Sequence, residues 1–455
     1  MANNLNLKAP LLFLAGLVLL SSCKNHETIA PSPLPACGQA VLSGYTNNTS
    51  YFPGDEMAVY LQSTKSLSCG LNIYDINGRV AFTSNTTLFP QVIGNDHPWQ
   101  AGFDYAVSGK IKIPSTLASG VYLIENQVAF IVKSSGAETI TVVYPSNTIN
   151  AYDGQGGKSL YNFNSSDNKP SPIVSFHRPV DNPEEQVDFC TGCFKWIPTL
   201  NLKINYVADI DLEEPSSFSQ SKLLVIAGHS EYWTRKARLN FDRFVNAGGH
   251  VLILSGNSMW WQVRYPPTKD ALICYRSAQL DPESDVTLKT VNWTDPTLQL
   301  DIVSSIGADF NHGGFGLQTD NGWDGFKIRN PASPLLAGLN LKKGDIVSLP
   351  SGEYDGAPLA GFDADGFPIL DNNSLKFEKA ELIGFDKGTR GGQETIATFI
   401  VFQKSKTSGV IVNTGANGWC SLSAGIGSAS AGPRLQVITR NAINRLLKGE
   451  SCFSQ

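Results

Sequence analysis

A chain of 455 residues exceeds what one hydrophobic core usually supports, and 42% apolar with 16% charged residues is a globular balance. Two domains are therefore expected, and a disordered or fibrous chain is excluded. With 42 glycines and 25 prolines, many in separators such as Pro53-Gly54-Asp55, strands joined by turns are favoured over a helical bundle, and a formal charge of -5 with scattered basic residues excludes nucleic acid as the partner.

The first segment is an address. Lys8 is the only charge before an apolar stretch over 9–20, too short to span a bilayer and typical of a secretory h-region. The quartet Leu20-Ser21-Ser22-Cys23 resembles a bacterial lipobox. That resemblance implies a signal peptide over 1–22, lipid on Cys23, and an exported protein of the bacterial cell envelope held to a membrane through its lipid anchor only. Prolines 31, 33 and 35 suit an extended tether over 23–36, so the fold should begin near Cys37.

Seven further cysteines occupy positions 37, 69, 190, 193, 274, 420 and 452, in a compartment that permits disulfides. An odd number leaves at least one thiol free. Cys37 and Cys69 are candidates to staple a small β domain, with the pairing open. Cys190-Thr191-Gly192-Cys193 has redox or metal spacing, but no second pair completes a zinc set, so a local disulfide or two packed thiols is expected.

From 37 to 143, short runs at 57–62, 71–74, 80–83, 111–113, 121–125 and 129–132 are separated by turn signals. They predict an antiparallel, immunoglobulin-like β-sandwich of about seven strands. From 144 to 450 the punctuation changes. A β-branched run over 139–144 leads into a polar loop, 147–157, followed by a helix over 185–200 and a strand over 202–208. The continuous apolar run 223–227 is of the kind buried on both faces. Thr234 is a good N-cap, Ala237, Phe241, Phe244 and Val245 have helical spacing, and Gly248-Gly249 is a stop before a strand at 251–254. This βαβ unit predicts an α/β domain with a mainly parallel sheet, which ends with strands at 397–402 and 410–412 and a helix over 435–447.

Ligands of open parallel sheets bind beyond the carboxyl ends of the strands. Three such loops are rich in chemistry: 145–152, ending in Asn150-Ala151-Tyr152; Gly228-His229-Ser230-Glu231-Tyr232-Trp233; and Ser255-Gly256-Asn257-Ser258. In an extended chain His229 and Glu231 point to one side and Ser230 to the other. Glu231 also lies close to a helix N-terminus, which favours its anion. A hydrolase elbow is excluded, because Tyr232 stands where a second glycine must allow the turn. No cysteine occupies such a turn, and Gly154-Gln155-Gly156-Gly157 is no dinucleotide fingerprint. Hard oxygen and nitrogen groups remain, suited to a metal or a polar substrate. The bland alternative is a loop in which His229 and Glu231 merely bond each other.

These motifs, with Ser119-Gly120-Val121-Tyr122, Gly156-Gly157-Lys158-Ser159-Leu160-Tyr161, Val174-Ser175-Phe176-His177-Arg178-Pro179, Asp209-Ile210-Asp211-Leu212 and Glu353-Tyr354-Asp355, resemble the C-terminal region of the N,N-dimethylformamidase large (beta) subunit family. The resemblance runs from about 110 to 450. It implies a glutamine-amidotransferase-like α/β domain and one iron held by two tyrosines and a glutamate, with a histidine and an asparagine close by. By motif, the glutamate is Glu231, the histidine His229 and the asparagine Asn257. The tyrosines are Tyr152 and Tyr122, with Tyr161 in reserve.

Phenolates and a carboxylate suit ferric iron (Fe3+), and three protein ligands leave room for water and substrate. His229 would then move protons and Asn257 orient the oxyanion. The expected function is an anchored, iron-dependent hydrolase of linear amide C-N bonds acting on a small amide substrate. The alternative is a noncatalytic envelope lipoprotein binding a glycan or peptide in the α/β cleft. Self-association into a homo-oligomer is compatible with either.

Overall fold

The computed structural model describes residues 34–455 except 137, 181–183 and 317–321, and describes only the backbone of 184–186. The expected signal peptide, the lipidation residue Cys23 and the tether up to residue 33 lie outside the described residues. Leu34–Gln455 forms one compact unit. No described helix is long and apolar enough to cross a membrane.

The N-terminal part carries eight strands in two sheets. Ser43–Thr46, Glu56–Gln62 and Gly109–Lys112 form the smaller; Ser50–Tyr51, Val128–Val132, Gly120–Ile124, Leu67–Asp75 and Val80–Leu88 form the larger. Period-two alternation turns Met57, Val59 and Leu61 inward from one sheet, and Leu71, Ile73, Ile124 and Phe130 from the other, into a shared core. A Cys37–Cys69 disulfide fastens the start of the chain to that core. One pairing departs from the antiparallel expectation. Ser50–Tyr51 runs parallel to Ile131–Val132, because the chain crosses from the first sheet to the second at this point.

The remainder is built on a mixed sheet. Its nine principal strands are β1 (Ile140–Tyr144), β2 (Ile204–Ala208), β3 (Leu223–Gly228), β4 (His250–Ser255), β5 (Asp309–Phe315), β6 (Glu353–Gly356), β7 (Lys379–Arg390), β8 (Gln393–Gln403) and β9 (Val410–Asn413). The order is β2-β1-β3-β4-β9-β8-β7-β5-β6. Strands β2, β1, β3, β4 and β9 are mutually parallel. Beyond β9 every pairing is antiparallel, so the sheet is mixed rather than mainly parallel. One of these antiparallel pairs is a local hairpin. Gly391 and Gly392, with φ of 56° and 78°, make the two-residue turn with positive φ that closes β7 and β8 into a hairpin.

Four helices matter to the site: α1 (Ser146–Tyr152), α2 (Glu184–Trp196), α3 (Arg235–Asn246) and α4 (Gly432–Lys448). The continuous apolar run of β3 is explained by cover on both faces. Leu223, Val225 and Ala227 pack with Phe194 of α2 and Leu435 and Ile438 of α4, while Leu224 and Ile226 pack with Phe241 and Val245 of α3. Thr234 caps α3 by accepting from Ala237 N at 3.2 Å.

The cysteine expectation is corrected. Cys193 is bonded to Cys420, and Cys190, Cys274 and Cys452 are buried free thiols. Cys190 instead packs under the end of β3, where a Cβ on Gly228 would come within 2.7 Å of its own Cβ. The expected loop after β1 is also corrected, since it begins as the buried helix α1. Tertiary hydrogen bonds satisfy its polar side chains. Asp209 Oδ2 accepts from Asn147 N at 2.8 Å, and the Asn147 side chain donates to Tyr232 O at 3.0 Å and accepts from Tyr265 Oη at 2.9 Å.

Candidate active site

Strand β3 ends at Gly228, whose φ of 81° and contact with Cys190 admit no side chain. The turn aims His229 and Glu231 to the same side. Their side chains, each 2% exposed, lie 3.6 Å apart from Nε2 to Oε2. Ser230 faces away, accepting from Trp233 Nε1 at 3.0 Å. Thr148 Oγ1 of α1 accepts from Glu231 N at 3.0 Å and joins the β1 and β3 loops.

Two phenols converge on the Glu231 carboxylate. Tyr152, the last residue of α1, donates to Oε2 at 3.1 Å, and Tyr161 Oη stands 3.0 Å from the same oxygen. Their rings are 4.1 Å apart. Behind Tyr161, Tyr232 donates to its hydroxyl at 2.6 Å, Arg276 donates to Tyr232, and the Arg276 guanidinium lies 4.0 Å from the Tyr161 ring centre. On the other side His229 Nε2 reaches Glu353 Oε2 at 2.8 Å, and Asn257 Nδ2 donates to the same oxygen at 3.3 Å. Asp355, fully buried two residues on, accepts from Ser258 N at 3.1 Å.

Burial dominates the electrostatics. It raises the Glu231 carboxyl above the usual carboxylate range, against the pull of His229. Burial and the nearby Glu231 charge hold the Tyr152 and Tyr161 phenols well above their ordinary value. Burial alone would lower His229, but Glu353 and then Glu231 outweigh it and keep the imidazole readily protonated. Burial pushes Asp355 up to about 7. The site thus concentrates acidic groups that hold protons for want of solvent.

The structure brings Tyr152, His229, Glu231 and Asn257 together. It does not bring Tyr122 to them. The Tyr122 ring packs in the N-terminal two-sheet core against Phe130, and its hydroxyl donates to Ala118 O at 2.8 Å. The second phenol at Glu231 is Tyr161. Glu353, Arg276 and Tyr232 carry roles that motif reading did not give them, although Glu353-Tyr354-Asp355 was among the matching stretches. Among the described residues no group of three or more His, Cys, Asp and Glu side chains is arranged to hold a metal; the convergent donors here are two phenols and one carboxylate. A cavity of about 830 Å³ lies elsewhere, between the N-terminal sheets and the main sheet, where Val121, Leu123, Tyr144, Ile149 and Phe194 line it.

No curated protein matches the chain. Among solved structures it is similar to a ThuA-like protein from Bacteroides uniformis, at 10% identity and a TM-score of 0.34, over 70% of this chain and 96% of that one. A family match spans residues 80–428 and therefore takes in β1 to β9 and every residue of the cluster. The chain belongs to the N,N-dimethylformamidase beta subunit-like, C-terminal family.

Proposed function

We propose that this protein hydrolyses linear amides at the Glu231 cluster, with an iron ion held by Tyr152, Tyr161 and Glu231. The observation that carries the reading is the convergence of two phenol hydroxyls on one buried carboxylate, at 3.0 and 3.1 Å, beside a His229–Glu353 pair. The donor set fits the group. Two phenols and a carboxylate become three hard anionic oxygens when a cation replaces their shared protons, a set that favours ferric iron over zinc. Bound there, iron supplies Lewis-acid polarisation to an amide carbonyl.

The chain's own groups do the rest. Glu353 is placed to take a proton from the attacking water, and Asn257 holds it by one N–H. The second N–H of the Asn257 amide is left for the oxygen that becomes negative as water adds to the carbonyl carbon. His229, whose Nε2 lies 2.8 Å from Glu353 Oε2, gives a proton to the leaving nitrogen. The C–N bond breaks, water's oxygen stays on carbon, and a carboxylic acid and an amine leave. Turnover of small formamides and acetamides by iron-loaded protein tests the reading; a folded, iron-loaded chain inert on all of them opposes it.

The proposal takes the N-terminal sheets as immunoglobulin-like and the mixed-sheet part as amidotransferase-like. It also includes export and a lipid on Cys23, supported by Leu20-Ser21-Ser22-Cys23 after a short apolar run. Membrane association that survives Cys23→Ala would remove that part.

A further inference from the structure

We propose that Phe163 is a specificity-determining residue that stacks against an aromatic or flat apolar substituent of the substrate. This rests on the amide-hydrolase reading of the same site and names the substrate class. Phe163 is 67% exposed, yet its ring centre lies 5.2 Å from that of Tyr161 and 6.4 Å from that of Tyr152. The three rings form a continuous aromatic surface. Its inner end is the pair of hydroxyls on Glu231, and its outer end is open to water. A group bonded to an amide whose carbonyl sits at Glu231 therefore has an apolar face beside it.

The surface is held in place before any ligand arrives. Ser159 N donates to Ser165 Oγ at 2.9 Å, Ser165 Oγ donates to Tyr161 O at 2.5 Å, and the Asn164 side chain bridges Ser159 and Tyr152 O. The turn that carries Phe163 is thus tied on both sides of the ring. A large aromatic side chain fixed in water next to a reactive cluster loses little freedom when something stacks on it. Those same bonds already engage the polar side chains of Ser159, Asn164 and Ser165. A sugar would need such groups around its hydroxyls, so an apolar group is the better match. A second aromatic borders the site: Phe189, partly exposed, sets its ring edge-on to His229 at 5.9 Å.

The test compares N-phenylformamide with N-methylformamide on iron-loaded parent, Phe163→Ala and Phe163→Tyr. The parent should prefer the phenyl compound. Phe163→Ala should lose roughly tenfold in kcat/KM on it, mainly through KM, and change less than about twofold on the methyl compound, the scale of one lost aromatic contact. Phe163→Tyr should restore the preference. Equal losses on both substrates, or no loss on either, would overturn the proposal. If the parent turns over neither amide, the hydrolase reading fails separately. Calorimetric binding of N-phenylformamide to the same proteins then decides: binding about tenfold weaker in Phe163→Ala upholds the stacking surface, and equal or absent binding removes it.

Discussion

His229 Nε2 lies 2.8 Å from Glu353 Oε2 and 3.6 Å from Glu231 Oε2, so one buried imidazole joins the end of β3 to the start of β6. In the proposed mechanism Glu353 is the base, and its charge is the largest influence that raises the His229 imidazole against burial. Glu353→Gln preserves the shape and removes the charge. Turnover of a small amide should fall about a hundredfold or more, the usual scale for a proton-transfer group, with iron content unchanged. A rate near that of the parent would take Glu353 out of the chemistry.

The two tyrosines separate ligand from core. Tyr161→Phe removes a hydroxyl 3.0 Å from Glu231 Oε2 and should sharply lower iron content and visible absorption. Tyr122→Phe removes only the bond to Ala118 O and should cost about 1 kcal/mol of stability with iron retained. Iron analysis and denaturant titration of both variants check this; loss of iron in Tyr122→Phe would contradict the placement.

Burial, ahead of every other influence, pushes Asp209 up to about 7. Its value in the fold is above that in an unfolded chain. Its contribution to stability is therefore complete below about pH 4 and is lost as pH rises through about 7. Tm should fall more steeply between about pH 4 and 7 for the parent than for Asp209→Asn, whose side-chain oxygen can still accept from Asn147 N. Parallel Tm profiles would show that Asp209 ionises in the fold without cost.

The Cys193–Cys420 bond ties α2 to the segment after β9, across 227 positions of sequence. Its loss in Cys420→Ala should cost about 2 to 5 kcal/mol. Reducing agent, which also opens Cys37–Cys69, should lower both proteins, the parent by the larger amount, and bring the two to about the same stability. Equal stability of parent and variant under oxidising conditions would show that the bond does not form.

Where one rule of local chemistry governed a segment, the sequence was readable. The run 223–227 marked β3 because both its faces are covered, and Thr234 marked the start of α3 through its cap. His229 and Glu231 were readable as a same-side pair because an extended chain alternates. The rest depended on partners remote in sequence. Helix α1 looks like a polar loop until Asp209, Tyr232 and Tyr265 satisfy Asn147. Glu353 meets His229 only because β6 folds back beside β5. Tyr122 and Tyr161 both lie in matching motifs, and only the tertiary path of the 158–165 loop distinguishes them. The Gly391-Gly392 turn was not read as a hairpin signal, and with it the antiparallel pairing of β7 and β8 was missed.

The most direct measurement is iron stoichiometry together with visible absorption of chelator-free protein and of Glu231→Gln, each shown to be folded by circular dichroism. The account predicts about one iron per chain and a coloured parent, because phenolate-to-ferric charge transfer absorbs visible light, and it predicts both largely lost when the carboxylate becomes a neutral amide. A folded parent that stays colourless and iron-free after reconstitution, or a Glu231→Gln protein with full occupancy and unchanged colour, would contradict it.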